Sequence, residues 1–244
     1  MNETLKAYLL HLADDALVMS QRLSEWTGHG PVLEQDIALT NTALDYLGQA
    51  RNFYQHAAVL IGGDATEDSL AMLRLEHEFK NHLLVELPNG DWAQTILKTY
   101  FFSAYQKLLM QQLVGCADEQ VRGIAEKSLK EVSYHLRWSR EWVLRLGDGT
   151  EESHQRILQA LGNVWMFTGE LFEPPVYHQG WVDYNSIKTA WMEEVRKTFA
   201  EATLDVPSVP GFQTGGLKGQ HTEHLGYRLA EMQYLQRVYP NSKW

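Results

Sequence analysis

The residues best placed to do chemistry are acids on long helical stretches. A helical bundle can hold two metal ions when two of its helices supply one Glu each and the other two supply Glu-x-x-His. The i, i+3 spacing sets carboxylate and imidazole on one inward face, a turn apart. Asp45 precedes Glu76 by 31 residues (76 − 45), about the run down one helix and back up the next. Phe79 stands three positions after Glu76, where the imidazole belongs. In the second half Glu131 is followed three later by Tyr134, and 31 positions before it (131 − 31) stands Tyr100, flanked by Phe101 and Phe102. Asp45, Glu76, Phe79, Tyr100, Glu131 and Tyr134 therefore read as a degenerate di-metal site. A di-iron or di-manganese centre needs roughly four carboxylates and two imidazoles, and this set has three acids and no imidazole. The expectation is a chain with no metal and no catalytic residue of its own.

One alternative keeps a metal. His135 lies four residues after Glu131, and i, i+4 spacing also ligates metals on helices. The same offset in the first half is Lys80, a cation, so a site at Asp45, Glu76, Glu131 and His135 would be lopsided. Otherwise Lys80, His135 or other basic groups must neutralise Glu76 and Glu131, because buried carboxylates require partners. Glu151-x-x-His154 matches Glu-x-x-His literally but opens a helix after a Gly turn and reads as surface. His77 and His82 read as solvated on a polar helix, and Trp138, Trp142 and Trp165 as core. No Ser/His/Asp order, Walker loop or paired CxxC is present, so hydrolase and NTPase chemistry have no support.

Eight helical stretches must position these residues, separated by Gly and Pro clusters. They run from about Leu5 to Trp26, Leu33 to Ile61, Thr66 to Pro88, Asp91 to Gly115, Glu119 to Leu146, Thr150 to Pro174, Asn185 to Ala202 and Thr222 to Val238. Thr66 and Asp91 read as N-caps, with Glu67 and Asp68 favouring the helix dipole. The longest of these helices span roughly 30 to 45 Å, which suits a bundle better than an α/β unit. The expected architecture is one all-α domain over 1–244, with a four-helix bundle core over about 1–172 and appended loop and helices over about 173–244.

Composition narrows the partners. The formal net charge is −10 with no Lys/Arg-rich run, a surface that repels phosphate backbones and excludes nucleic acid. A single cysteine, Cys116, fits a reducing compartment. The first apolar stretch is cut by Asp14 and Asp15, which suits neither a signal peptide nor a membrane span. A soluble, cytoplasmic protein is expected.

Several stretches carry a family resemblance: Leu47-Gly48-Gln49-Ala50-Arg51-Asn52-Phe53, Tyr134-His135-Leu136-Arg137, Arg145-Leu146-Gly147-Asp148-Gly149-Thr150 and His221-Thr222-Glu223-His224-Leu225-Gly226. Thr214-Gly215-Gly216 and the run from Ala230 to Val238 belong with them. On these the chain resembles the structural C subunits of bacterial phenylacetyl-CoA epoxidases, which are multicomponent monooxygenases. The resemblance implies a ferritin-like fold and a role in aerobic phenylacetate breakdown. It also implies a catalytic A subunit that carries the di-iron centre, a small B subunit, and a reductase with flavin, an iron–sulfur cluster and NADPH. The loop near Pro174-Pro175 is where divergence from relatives is expected. A long anionic CoA thioester bound by the partner would extend outside its bundle, so this chain could touch it. Candidate contacts are Glu78, Phe79, Lys80 and Asn81 on one helix turn, and Val176, Tyr177 and His178 after the two prolines. A backbone anion nest from Gly215-Gly216 to Lys218-Gly219 is a further candidate. Two rival readings stand beside this one: a di-metal oxygenase with an unusual ligand set, and a helical scaffold unrelated to oxygen chemistry.

Overall fold

A computed structural model of the chain describes residues 2–240 and 242. Helices α1 (Asn2–Ser24), α2 (Leu33–Ile61), α3 (Glu67–Met72), α4 (Leu83–Glu86), α5 (Trp92–Leu113), α6 (Glu119–Gly147), α7 (Glu151–Val164), α8 (Tyr184–Glu201), α9 (Glu223–Met232) and α10 (Tyr234–Val238) follow in chain order. No strand occurs among the described residues. The fold class is all-α, as the periodicity requires.

The chain forms two compact units. One holds residues up to Pro88, Pro175–Gln179 and those from Gly215 on; the other holds Asn89–Pro174 and Gly180–Thr214. The first is built on the α1–α2 pair. Its helices run antiparallel: Ser20 donates to the Ala43 carbonyl near the turn, and Tyr54 reaches Asp14 further along. Leu9, Leu12, Ala16, Met19 and Leu23 of α1 are buried, the stripe that sequence spacing marks. The outer face of α2 is different. Leu33, Ile37, Leu44, Leu47 and Val59 are exposed, with Leu33 at 72% and Val59 at 77%.

The second unit is centred on α5, which is buried nearly all round, so apolar residues occupy every face rather than one stripe. On this helix Phe101 meets Trp165, Trp191 and Phe199, and Tyr105 meets Phe172, at ring-centroid separations of 5.5 to 6.4 Å, the Trp165 and Phe172 contacts edge-to-face. That geometry suits the aromatic quadrupole. Trp191 also donates its indole N–H to the Phe101 carbonyl at 3.0 Å.

Most helices lie where the breakers place them, and the expected caps form. The Asp91 carboxylate accepts from Gln94 N, Thr150 from Ser153 N, and Thr66 closes a capping box with Ser69. The helix expected from Thr66 to Pro88 does not form as one piece. It breaks into α3, a 3-10 turn at Glu76–Glu78 and the single turn α4. Leu75, Phe79 and His82 are extended, with ψ of 160, 150 and 145°. The cause is tertiary: the backbone N–H groups of Lys80 and His82 donate to Asp14 and Asp15 at 2.8 Å each, and an unbroken helix would direct them to its own carbonyls. The sixth and last helices are also interrupted, by 3-10 turns after Val164 and by a one-residue turn at Gln233. Gln233 is buried and donates to the Ala71 and Arg74 carbonyls.

Candidate functional site

Three carboxylates sit inside the first unit, and each meets a basic side chain. Asp14 lies on α1 with no solvent exposure. It forms an ion pair with the Arg74 guanidinium and accepts from the Tyr54 hydroxyl at 2.5 Å. Arg74 also donates Nε–H to the Leu70 carbonyl and stacks over the Phe79 ring, 4.2 Å from its centroid. Burial opposes the charge on Arg74, but Asp14 outweighs it and the guanidinium is held more firmly protonated than usual. Burial, with the Asp14 charge, keeps the Tyr54 phenol protonated well above its ordinary range.

Asp15 faces the same segment one residue on. Its Oδ1 accepts from His82 N at 2.8 Å and its Oδ2 from His82 Nδ1–H at 2.7 Å. Burial alone would raise the Asp15 pKa; the His82 and His11 charges and hydrogen bonds overcome it, so the carboxylate titrates below its usual range. His11, a turn away on α1, donates Nδ1–H to the Lys80 carbonyl at 2.8 Å. Burial dominates its titration and lowers its pKa, keeping the imidazole neutral near pH 7. Among the described residues, His11, Asp15 and His82 are grouped closely enough to hold a metal ion.

Glu86 is the third acid. Oε2 accepts from His221 Nδ1–H at 2.9 Å and Asn81 Nδ2 at 3.0 Å, and Oε1 accepts from Thr222 N at 2.6 Å. The second ring nitrogen of His221 donates to the Phe79 carbonyl at 3.0 Å. A ring that donates from both nitrogens is an imidazolium. Burial pulls the His221 pKa down, but the Glu86 hydrogen bond and charge, helped by Phe79 and Asp14, carry it above 6.5. Each carboxylate is thereby matched where burial makes an unmatched charge costly. Together the pairs fasten the irregular 74–86 segment to α1, and fasten to that segment the C-terminal strap that begins at Gly215.

Sequence spacing does not find this cluster. It takes Asp14 and Asp15 only as breaks in an apolar stretch, and it reads His82 as solvated. His82 is fully buried, while its neighbour His77 is exposed. The available signal is His11 and Asp15 at i, i+4 on the buried face of α1. Their partners stand 60 or more residues away, beyond any local spacing rule.

The positions read as a degenerate metal site are placed as follows. Asp45 is half-buried on α2, and Glu76 is exposed on the 3-10 turn with its carboxylate beside Gly226 of α9. Phe79 is fully buried under Arg74, so Glu76 and Phe79 do not share an inward helical face. A shared face requires a continuous helix, and the chain is extended there. Lys80 does not neutralise a buried Glu76; its Nζ reaches the His77 carbonyl at 3.4 Å. In the second unit Tyr100 is buried and burial raises its pKa, whereas Tyr134 is 41% exposed. Glu131 is half-buried and lies 3.8 Å from the Lys127 ammonium, which is itself largely exposed.

The substrate-contact candidates divide. Asn81 is buried and spent on Glu86 and the His82 carbonyl, and Phe79 is in the core, so neither presents itself on a shared helix turn with Lys80. Glu78 is exposed and accepts from Leu75 N at 2.6 Å. Val176 is 93% exposed and His178 is exposed, while the Tyr177 ring lies 6.2 Å from His11 and its hydroxyl is 3.5 Å from the Leu217 carbonyl. The Gly215–Gly219 segment does not stand free as a nest. It packs on residues 77–83, where a Cβ on Gly216 would strike the Asn81 carbonyl and one on Gly219 the His77 carbonyl. Lys80, Tyr177 and Lys218 are thus brought to one neighbourhood from three distant segments.

An all-α chain whose buried acids are matched to basic side chains, and whose long helices are joined by short breaks, belongs to a definable class. The chain is a member of the phenylacetic acid catabolic protein family, whose pattern matches residues 1–244. It is 50% identical over 250 residues to the C subunit of the 1,2-phenylacetyl-CoA epoxidase of Escherichia coli (strain K12), with all of both chains covered. The all-α, ferritin-like expectation agrees with the element order and with this membership. Among the described residues no helix is long and apolar enough to cross a membrane.

Proposed function

We propose that this chain is the structural C subunit of a phenylacetyl-CoA epoxidase, without a di-iron centre of its own, and that it assembles with a catalytic A subunit. The small B subunit and the flavin, iron–sulfur and NADPH reductase complete the assembly in a cytoplasmic pathway of phenylacetate breakdown. The observation that carries the reading is the end-to-end 50% identity to a C subunit. The polar interior of the first unit supports it, because its acids are matched to Arg74, His82 and His221 rather than arranged as a set of four carboxylates and two imidazoles. The exposed apolar face of α2 suits a chain with a partner. The test is iron analysis of the isolated chain after reconstitution with excess Fe(II), followed by mixing with the A subunit. The reading expects no coupled iron pair and no turnover alone, then a stable heteromer by size exclusion. A coupled pair of iron ions in this chain, or two separate peaks at micromolar concentration, would overturn it.

A contact with the CoA end of the partner's substrate belongs to the same proposal. The neighbourhood shared by Lys80, Tyr177 and Lys218 favours it, since it joins cationic groups to a ring able to stack on adenine. Lys80→Ala and Tyr177→Ala in the assembled complex should raise KM for phenylacetyl-CoA several-fold with kcat nearly intact, the pattern of lost uniform binding. Unchanged KM in both, with the complex still assembled, refutes the contact.

A further inference from the structure

We infer that His11, Asp15 and His82 form a binding site for one first-row divalent cation of the Zn(II) type, separate from any di-iron chemistry. These three side chains are fully buried, and each offers a ligand atom within 4.8 Å of the others. Two come from one face of α1 at i, i+4 and the third from the residue that opens α4. Imidazole and carboxylate are the donor set that borderline divalent ions take.

The ring of His11 is already prepared as a ligand. Its Nδ1–H is committed to the Lys80 carbonyl at 2.8 Å, which fixes the tautomer and turns the Nε2 lone pair inward. A metal-bound histidine is held in this way, by donating its other nitrogen to a carbonyl or carboxylate. Nε2 itself has no hydrogen-bond partner and lies 3.9 Å from Asp15 Oδ2. A buried ring nitrogen with an unused lone pair facing a carboxylate is poorly satisfied by protein alone. A cation there would engage the Nε2 lone pair and take the place of the His82 Nδ1–H on Asp15 Oδ2, that proton leaving to solvent. The His82 ring packs edge-on against His11, with centroids 4.9 Å apart, and supplies the second imidazole.

The geometry needs only modest closure. Ligands bound at about 2.1 Å in a tetrahedral site stand roughly 3.4 Å from one another. The three atoms must therefore draw in by about 1.5 Å at most, within the reach of small side-chain rotations. Three protein ligands leave the remaining position to water. The ion would staple the 74–86 segment to α1, reinforcing the bonds that Asp14 and Asp15 already make to Lys80 and His82.

The test uses the full-length chain, stripped with chelator and titrated with Zn(II) and with Co(II) as a spectroscopic probe. One equivalent should bind, with intense Co(II) ligand-field bands of a low-coordinate site and a rise in Tm with Zn(II). His11→Gln should weaken binding by about 100-fold or more and abolish the Tm rise. Because that variant disturbs a buried ring, Cu(II) EPR of the unmodified chain provides an independent readout, with nitrogen hyperfine structure from two imidazoles expected. Absence of stoichiometric Co(II) uptake, uptake indifferent to His11→Gln, or fewer than two nitrogen ligands in the EPR spectrum would each overturn the inference.

Discussion

Acids at different depths illustrate how sharply burial separates one carboxylate from another. Asp14 holds a guanidinium in the core, while Glu131 meets a lysine that water already solvates. Asp14→Ala leaves the Arg74 charge buried and unmatched, and should lower the unfolding free energy by about 3–5 kcal/mol in urea melts. Glu131→Ala should cost under about 1 kcal/mol by the same measurement, as exposed pairs do. Two histidines of the cluster, His221 and His11, set opposite pH limits. His221 has a raised folded-state pKa, so its contribution is whole below about pH 6.5 and is lost as pH rises through the raised value. His11 has a lowered folded-state pKa, so the unfolded chain binds the extra proton and stability falls as pH drops below about 6.5. Urea midpoints measured across pH should therefore decline on both sides. His221→Gln should flatten the alkaline limb and leave the acid limb in place; an unchanged alkaline limb counts against the imidazolium assignment. The residue types of this cluster are all visible in the sequence. Their pairing is not, because periodicity relates residues on one helix and these bonds join α1 to residues 60 or more positions away.

At the scale of elements, the helices bounded by Gly, Pro and a capping side chain are legible almost to the residue; α2 runs from Leu33 to Ile61 as the breakers predict. The stretch from Thr66 to Pro88 carries equally good local signals and still breaks. Asp14 and Asp15 take the backbone N–H groups of Lys80 and His82, so a tertiary bond outweighs local propensity. Aromatic residues are more legible: Trp165 reads as core, and Phe101, Trp165, Trp191 and Phe199 fill the interior around α5. The broken segment depends on the strap that covers it. Gly216 lies so close to the Asn81 carbonyl that any side chain must push the two segments apart. Gly216→Ala should cost roughly 2 kcal/mol or more, in the range of overpacked cores, and should speed proteolysis of the C-terminal region. Thr66→Ala removes one cap from a short surface helix and should cost about 1 kcal/mol without that proteolytic change. Equal proteolysis in the two variants would mean that the strap is not held through Gly216.

For the whole molecule, the question is what the outer face of α2 is for. Leu33, Ile37, Leu44 and Leu47 recur along one side of a long helix, and Leu33 and Leu44 are 72% and 59% exposed. Single exposed apolar residues are ordinary, but a row of them along one helix marks a surface meant to be covered. The buried sides of α2 already meet α1, so substitutions on the outer row leave the core of the unit intact. Leu33→Glu combined with Leu44→Glu should therefore change the Tm of the isolated chain by little, within the ±0.5 kcal/mol typical of surface sites. Facing a partner, the same two carboxylates would be buried without counter-charge, a penalty of several kcal/mol. Each 1.4 kcal/mol of that penalty weakens association about tenfold. Size exclusion of the variant mixed with the A subunit should then show separate chains at concentrations where the unmodified pair co-elutes. A variant that stays folded and still co-elutes would place the assembly surface elsewhere on the chain.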